Sequence, residues 1–169
     1  MQETYIESLA KVIRNKLKLE KQLNIKITNK GKNIFINGKP ENEFTAIEIL
    51  KAINMGFSTD CALQLKQENI ILQIVNIKDI TKRNDLERVR ARIIGTHGKT
   101  LKTLENLTQC SLSLHDNQIG IIGDAEEIKD VIQSVISLIQ GSKQNNVYAR
   151  LERQRKKKRL ENKNIFQNQ

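Results

Sequence analysis

An internal repeat is the feature that most restricts how this chain of 169 residues can fold. The segment IFING at 34–38 is matched 85 positions later by IGIIG at 119–123, and an apolar pattern ending at Gly56 is matched by one ending at Gly141. Each copy predicts a strand, a glycine turn and a helix that stops at a glycine. A chain of this length can bury one core or two small ones, and the repeat favours two similar domains.

The second copy predicts two helices between its first and second strands. Asn84, with Glu87 three residues later, predicts the start of the first helix, and the sequence GTHG at 95–98 interrupts it before the second helix begins. Asp124 with Glu127 predicts the start of a third helix. The strands are predicted at 70–77, 111–115 and 118–122, which gives the order βααββα.

The first copy predicts a similar order but has no counterpart of GTHG. Arg14, Asn15 and Lys16 occupy that place. Strands are predicted at 4–6, 24–28 and 33–37, with a helical stretch up to about Leu23 and a helix from about Glu41 to Asn54. Further helices are predicted at 59–66, after a capping Ser58, and from Val147 to about Leu160, with fraying beyond Asn162.

Positive charge is concentrated towards the C-terminus. The chain has 29 Lys and Arg against 19 Asp and Glu, and the part from Lys143 onward carries seven of the ten net positive charges. A basic segment of this kind favours a polyanion, either nucleic acid or anionic lipid, although it also suits a solvated tail. The sequence has no apolar run of membrane-spanning length and no signal-peptide pattern, so we expect a soluble cytoplasmic protein without a membrane partner.

The sequence holds no recognisable catalytic or metal-binding set. Cys61 and Cys110 have no second Cys or His at ligand spacing, and both are expected to be reduced residues of the core. A P-loop would need glycine where Ile93 stands and a strand before the loop, where a helix is predicted. His97 has no carboxylate or nucleophile placed to work with it. We therefore expect a protein that is not an enzyme and needs no cofactor.

A GxxG loop between two helices has a different use. Glycines 95 and 98 allow a tight turn and let a sugar-phosphate backbone come close, while the following helix directs free N–H groups and the positive end of its dipole at a phosphate. KH domains clamp about four nucleotides of single-stranded RNA in this way. The βααββα order places the loop at the right junction, so the second copy is predicted to be a KH domain.

The candidate RNA contacts are the loop, the basic residues that flank it, an apolar floor for the bases, and the basic C-terminal helix. They are Arg88, Arg92, Ile94, Gly95, Thr96, His97, Gly98, Lys99, Thr100, Lys102, Leu112, Leu114, Arg153, Lys156 and Lys157.

Three segments carry a resemblance to a known family. They are RARIIGTHGKTLKTLENLTQCSLSLHDNQIGIIGDAEEI, the link KAINMGFSTDCALQL and the tail VYARLERQRKKKR, and together they resemble the archaeal Dim-two proteins, relatives of the eukaryotic Partner-of-Nob-one. The resemblance spans roughly residues 41–159. Two departures weaken it locally, because Thr96-His97 stands where relatives usually have a Lys, and Arg14-Asn15-Lys16 replaces any GxxG in the first copy.

The resemblance implies an α+β fold with two tandem KH domains, each a three-stranded antiparallel sheet packed on three helices, followed by a basic helix. The expected boundaries are 1–57 for a degenerate first domain, 58–69 for a linking helix, 70–142 for the KH domain with GxxG, and 143–169 for the basic helix and tail. It further implies a ribosome-assembly factor that binds near the 3′ end of small-subunit ribosomal RNA. Separately, we expect the protein to be a monomer. The implied protein partners are the endonuclease Nob-one and the alpha subunit of initiation factor two.

Two other functions remain open from the sequence. The KH surfaces could act as a scaffold for a nuclease or an initiation factor, with RNA contact secondary. A general single-strand binder is disfavoured, because aromatic residues make up 4% of the chain and such proteins stack bases on aromatic rings.

Overall fold

The sequence repeat corresponds to a repeated order of secondary structure in the computed structural model, which describes residues 1–167. Contacts between residues divide the chain into a unit Met1–Leu72 and a second unit that begins at Gln73. The first unit contains β1 Gln2–Tyr5, α1 Leu9–Arg14, α2 Lys16–Leu23, β2 Ile25–Lys30, β3 Asn33–Gly38, α3 Pro40–Asn54 and α4 Thr59–Leu63. A short 3-10 turn, Gln64–Lys66, follows α4.

The second half repeats this order with one extra short helix. Its elements are β4 Ile70–Asn76, α5 Ile77–Ile80, α6 Leu86–Ile94, α7 Lys99–Thr108, β5 Ser111–His115, β6 Gln118–Asp124 and α8 Ala125–Ile139. The helix α9, Gln144–Gln167, then follows. No sequence pattern predicted α5, whose first residue Ile77 is fully buried.

In each sheet the last strand in sequence lies in the middle. The strand order is β1-β3-β2 in the first sheet and β4-β6-β5 in the second. The central strands supply equivalent core residues, since Ile34 and Ile36 of β3 and Ile119 and Ile121 of β6 are all fully buried. Because residues two apart on a strand share one face, the repeated isoleucines give each sheet one apolar face for its helices.

A pair of glutamates shows that the repeat extends to side-chain hydrogen bonds. Glu20, near the end of α2, accepts a bond from the backbone N–H of Ile27 on β2 at 2.7 Å. Glu105 on α7 accepts the equivalent bond from Leu112 on β5 at 2.8 Å. Each carboxylate therefore ties an edge strand to the helix before it.

The hydrogen bond between Glu105 and Leu112 should contribute to the stability of the second unit. Glu105→Ala removes the acceptor and leaves the Leu112 N–H unsatisfied in a partly buried position, so we expect the free energy of unfolding to fall by about 1–3 kcal/mol. Urea denaturation measures the loss. Glu105→Gln is the matched control, because its amide oxygen can still accept the bond; equal losses for the two variants would show that the bond is not the cause.

Several helix ends differ from the sequence prediction for local reasons. The helix α6 begins at Leu86 after Asp85, and Asn84 does not cap it. Arg83 instead donates two hydrogen bonds to Asp85, at 3.0 and 3.1 Å, and these bonds hold the pKa of Asp85 below its ordinary value.

The predicted Ser58 cap of α4 is confirmed, because its hydroxyl accepts from the N–H of Cys61.

At α8, the Asp124 carboxylate accepts from the N–H of Glu126 at 2.9 Å. Asp124 therefore caps this helix as predicted, while Glu127 is used elsewhere.

The C-terminal helix is longer than predicted at both ends. It begins at Gln144 rather than Val147, and it continues to Gln167, so the expected fraying from Asn162 is wrong for residues 162–167. Val147 and Leu151 are buried and fix its first turns. Beyond them the largely exposed segment is rich in Lys and Arg, which favour helix. The expected fraying of residues 168 and 169 lies outside the described residues.

The two cysteines are free and differ in burial. Cys110 is buried, as predicted, and burial raises the pKa of its thiol to about 11. A side chain at Gly123 would meet the Cys110 sulfur at 2.3 Å, so the repeated glycine here makes room for the thiol. Cys61 is only half-buried, and its predicted place in the core is wrong. None of the helices in residues 1–167 is both long and apolar enough to span a membrane.

Candidate nucleic-acid interface

The loop between α6 and α7 has a backbone that depends on glycine at its first position. Gly95 has φ 74° and ψ 175°, a conformation that is essentially restricted to glycine. A Cβ there would also lie 2.2 Å from the Thr100 hydroxyl oxygen. Gly95 thus ends α6 and allows the first turn of α7 to pack directly against it.

The other end of the loop is open. His97 and Gly98 have φ values of 52° and 73°, and a Cβ built at Gly98 would have no neighbour within 4 Å. The Thr96 and His97 side chains are exposed. No side chain caps the N-terminus of α7, so its first free N–H groups are available to an anion. The loop can therefore receive a phosphate group from solvent.

The first residue of α9 forms hydrogen bonds to residues on both sides of the loop. The Gln144 amide nitrogen donates to the carbonyl oxygen of Arg92 at 3.2 Å and to the Thr100 hydroxyl at 3.0 Å. The Arg92 guanidinium in turn donates to the carbonyl oxygens of Gly141, at 2.9 Å, and Ser142. These bonds join the end of α6, the start of α7 and the start of α9. Arg92, predicted as an RNA contact, is thus already hydrogen-bonded within the protein.

A pocket beside the loop brings five of the predicted residues together. Its lining includes Arg92, Gly95, Thr96, Lys99 and Thr100. Three residues of α9 that the sequence did not indicate as site residues complete it: Gln144, Asn145 and Tyr148. The one sequence signal for this placement is the helix stop at Gly141, because it allows the chain to turn back after α8 towards the loop.

The predicted apolar floor is smaller than expected. Ile94 is 36% exposed and Leu114 is half-buried, so both present some apolar surface. Leu112 is only 8% exposed and lies opposite the buried Ile121 of β6. Its side chain therefore belongs to the core, and the expectation that it forms part of the floor is corrected.

The predicted cations are distributed over three places. Lys99 and Lys102 are exposed on the first turn of α7, and Arg88 lies on α6 in the wall of a neighbouring cavity. Arg153, Lys156 and Lys157 are exposed along α9.

The next residue of α9 has a structural role. Lys158 donates to Glu127 at 3.1 Å and Asp130 at 2.8 Å on α8. Its partial burial lowers the pKa, but these bonds outweigh that effect and raise it. The cation therefore helps to fix α9 against α8.

The arrangement offers no metal centre in the part of the chain that the structure describes. No group of three or more His, Cys, Asp or Glu side chains lies close enough together there to hold a metal ion. What the site presents is a glycine loop, an uncapped helix start and exposed cations. This combination suits binding of a polyanionic backbone.

Residues 71–156 match a family described as the eukaryotic-type KH domain, KH-domain type I. A KH domain-containing protein of Methanocaldococcus jannaschii is 29% identical over 146 residues, which cover 82% of this chain and 64% of that protein. The pre-rRNA-processing protein PNO1 of Saccharomyces cerevisiae is 32% identical over 142 residues, covering 80% of this chain and 51% of PNO1. This chain thus spans between about half and two thirds of the length of these curated relatives.

Solved structures show the same similarity over nearly the whole chain. Dim2p from Pyrococcus horikoshii OT3 superposes with a TM-score of 0.82 at 32% identity, covering 90% of this chain and 99% of Dim2p. A complex from the same organism, described as a/eIF2alpha-aDim2p-rRNA, contains a chain that matches with a TM-score of 0.83 at 32% identity, over 92% of this chain and 95% of that one.

Proposed function

This chain belongs to the family of type I KH-domain proteins that includes PNO1 and Dim2p, and from this premise we propose that it clamps single-stranded RNA as a ribosome-assembly factor. The proposed target lies near the 3′ end of small-subunit ribosomal RNA, and the proposed role is non-catalytic. The observation that carries the proposal is the loop at 95–98, which combines a glycine-dependent turn, an open outer end and an uncapped helix start.

In this proposal each group of site residues has a distinct task. Backbone N–H groups at the start of α7 receive a phosphate, while Lys99 and Lys102 add positive charge beside it. Ile94 and Leu114 support the bases. The exposed cations of α9 neutralise neighbouring phosphates without reading sequence.

We further propose that the chain has two tandem KH domains. The first, at 1–57, is supported by its βααββα order and its β1-β3-β2 sheet, and it lacks the RNA clamp because Asn15 replaces the glycine loop between α1 and α2. The remaining boundaries are a linker at 58–69, the RNA-binding domain at 70–142 and the basic helix from 143. The protein is proposed to act as a cytoplasmic monomer.

The protein partners are also proposals. The Pyrococcus horikoshii complex contains both rRNA and a/eIF2alpha with a similar chain, which supports an initiation factor as partner. The resemblance to Partner-of-Nob-one proteins supports the endonuclease Nob-one.

A scaffold function is the second candidate, and one observation in the first unit favours it. Ile13 and Leu17 flank the break between α1 and α2, and they are 42% and 82% exposed. Apolar side chains at that position suit a protein partner better than a phosphate backbone.

Fluorescence anisotropy with single-stranded RNA from the 3′ end of small-subunit ribosomal RNA tests the proposal. If five or six phosphates are paired, the slope of log affinity against log salt should be about −3.5 to −4.2. Affinity should then fall by about 100-fold or more between 50 and 200 mM salt. An unlabelled duplex DNA competitor serves as control. A flat salt response, or equal competition by duplex DNA, would contradict a single-strand clamp.

A further inference from the structure

A second basic cavity lies next to the loop pocket, between α6 and the start of α9. Its volume is about 630 Å³, within the range of sites that admit small ligands. Its wall contains four cations, Arg83, Arg88, Arg92 and Lys143, together with the amides of Gln144 and Asn145. No carboxylate is among the residues that line it.

The cavity adjoins the loop pocket. Arg92, Gln144 and Asn145 line both, so they form the shared wall between the two spaces. The apolar floor of Ile94 and Leu114 is not part of either lining. A strand that is held in the loop pocket therefore has this cavity on the other side of the shared residues.

Two of the four cations are available to a ligand. Arg92 is bonded to the carbonyl oxygens after α8, and Arg83 is paired with Asp85. Arg88 and Lys143 are both exposed. No hydrogen bond or ion pair of either side chain is found within residues 1–167, and the Arg88 charge acts on Asp85 only at longer range, where it helps to lower the pKa of that carboxyl after the larger effect of Arg83. They line the cavity from different segments, Arg88 from α6 and Lys143 from the residues just before α9.

We propose that this cavity binds a phosphate group of the same RNA strand, beyond the nucleotides held at the glycine loop, through Arg88 and Lys143. This inference rests on the proposed RNA-binding function and extends it. Arg88 is thereby assigned to a second phosphate site rather than to the loop. The ligand is an internal phosphodiester, and the RNA footprint is longer than the about four nucleotides of a KH groove.

The test is a double charge reversal measured with RNAs of different length. Arg88→Glu with Lys143→Glu should weaken binding of a 10-nucleotide RNA by about tenfold or more. Its salt slope should become shallower by about 0.7, the value for one lost phosphate contact. Affinity for a 4-nucleotide RNA should stay within about twofold, since that RNA does not reach the cavity. Arg88→Gln with Lys143→Gln repeats the test with a smaller perturbation of charge and fold.

The matched control is Lys78→Glu with Lys129→Glu, which makes the same change in net charge at exposed positions elsewhere in the second unit. If the cavity variant and the control lose equal affinity for the 10-nucleotide RNA, the effect is general electrostatics and the inference is wrong. If the 4-nucleotide RNA is weakened as much as the longer one, the site is not an extension and the inference is also wrong.

A third arm compares RNAs with and without a terminal phosphate. A loss confined to the phosphorylated RNA would identify a free phosphate end, and not an internal phosphodiester, as the ligand. Failure of the proposed function itself would look different, because the unaltered protein would then bind neither RNA.

Discussion

Replacing Thr96 and His97 together with aspartate should reduce affinity for single-stranded RNA by about 100-fold without changing the fold. Both side chains are exposed at the open face of the loop, so two carboxylates would stand beside the bound phosphate. Like charges about 4 Å apart repel by roughly 1 kcal/mol in water and more near a protein surface, and two of them together cost about 3 kcal/mol. Aspartate also tolerates the positive φ of 52° at His97.

Anisotropy gives the affinity, and thermal melting checks the fold. Gln67→Glu with Gln133→Glu is the control, since it adds the same two negative charges at exposed positions that are not part of the loop. RNA binding that survives the loop variant would contradict the clamp and favour the scaffold function. Retained binding of an initiation factor, together with lost RNA binding, would separate the two activities in one protein.

Gly95→Ala should destabilise the second unit by about 2–5 kcal/mol. About 1–3 kcal/mol follows from the backbone conformation, with φ 74° and ψ 175°, and overpacking against Thr100 adds a similar amount. The melting temperature should fall by about 10 °C or more, which differential scanning calorimetry would show. RNA binding should be lost with the fold.

Gly98→Ala is the informative comparison. Its φ of 73° is left-handed but its Cβ would meet nothing, so we expect a cost of about 1–2 kcal/mol in stability. The added methyl group points into the space that the RNA backbone would occupy, and the larger effect should be on affinity. Equal destabilisation by the two alanines would mean that contact with Thr100 is not what restricts Gly95.

Local patterns predicted most of the elements, though not α5, and none of the contacts between elements. The alternation around Ile36 and Ile121 indicated two strands, because a strand places alternate residues on one face. The loop at 95–98 was predicted because two glycines three positions apart, between two helical patterns, can be recognised in the sequence alone. The position of helix starts was less certain, since Asn84 and Asp85 are adjacent and both can cap.

The contacts of Arg92 and Gln144 could not be predicted in the same way. They join residues 44 to 52 positions apart, and no periodicity in the sequence encodes such a pair. The sequence therefore predicted Arg92 to be a surface cation, although its guanidinium donates hydrogen bonds to backbone carbonyl oxygens of the protein. The same limit explains why the sequence did not indicate Tyr148 as a site residue, although it lines the loop pocket.

The bonds of Gln144 decide where a minimal fragment of the second unit can be cut. A fragment ending at Gly141 would keep all three strands and the helices α6 to α8, yet the Thr100 hydroxyl and the Arg92 carbonyl would lose their common donor. It would also lose the buried Val147 and Leu151. The shortest fragment that keeps these contacts therefore extends past Leu151. The first part of the basic helix thus belongs to the folded unit.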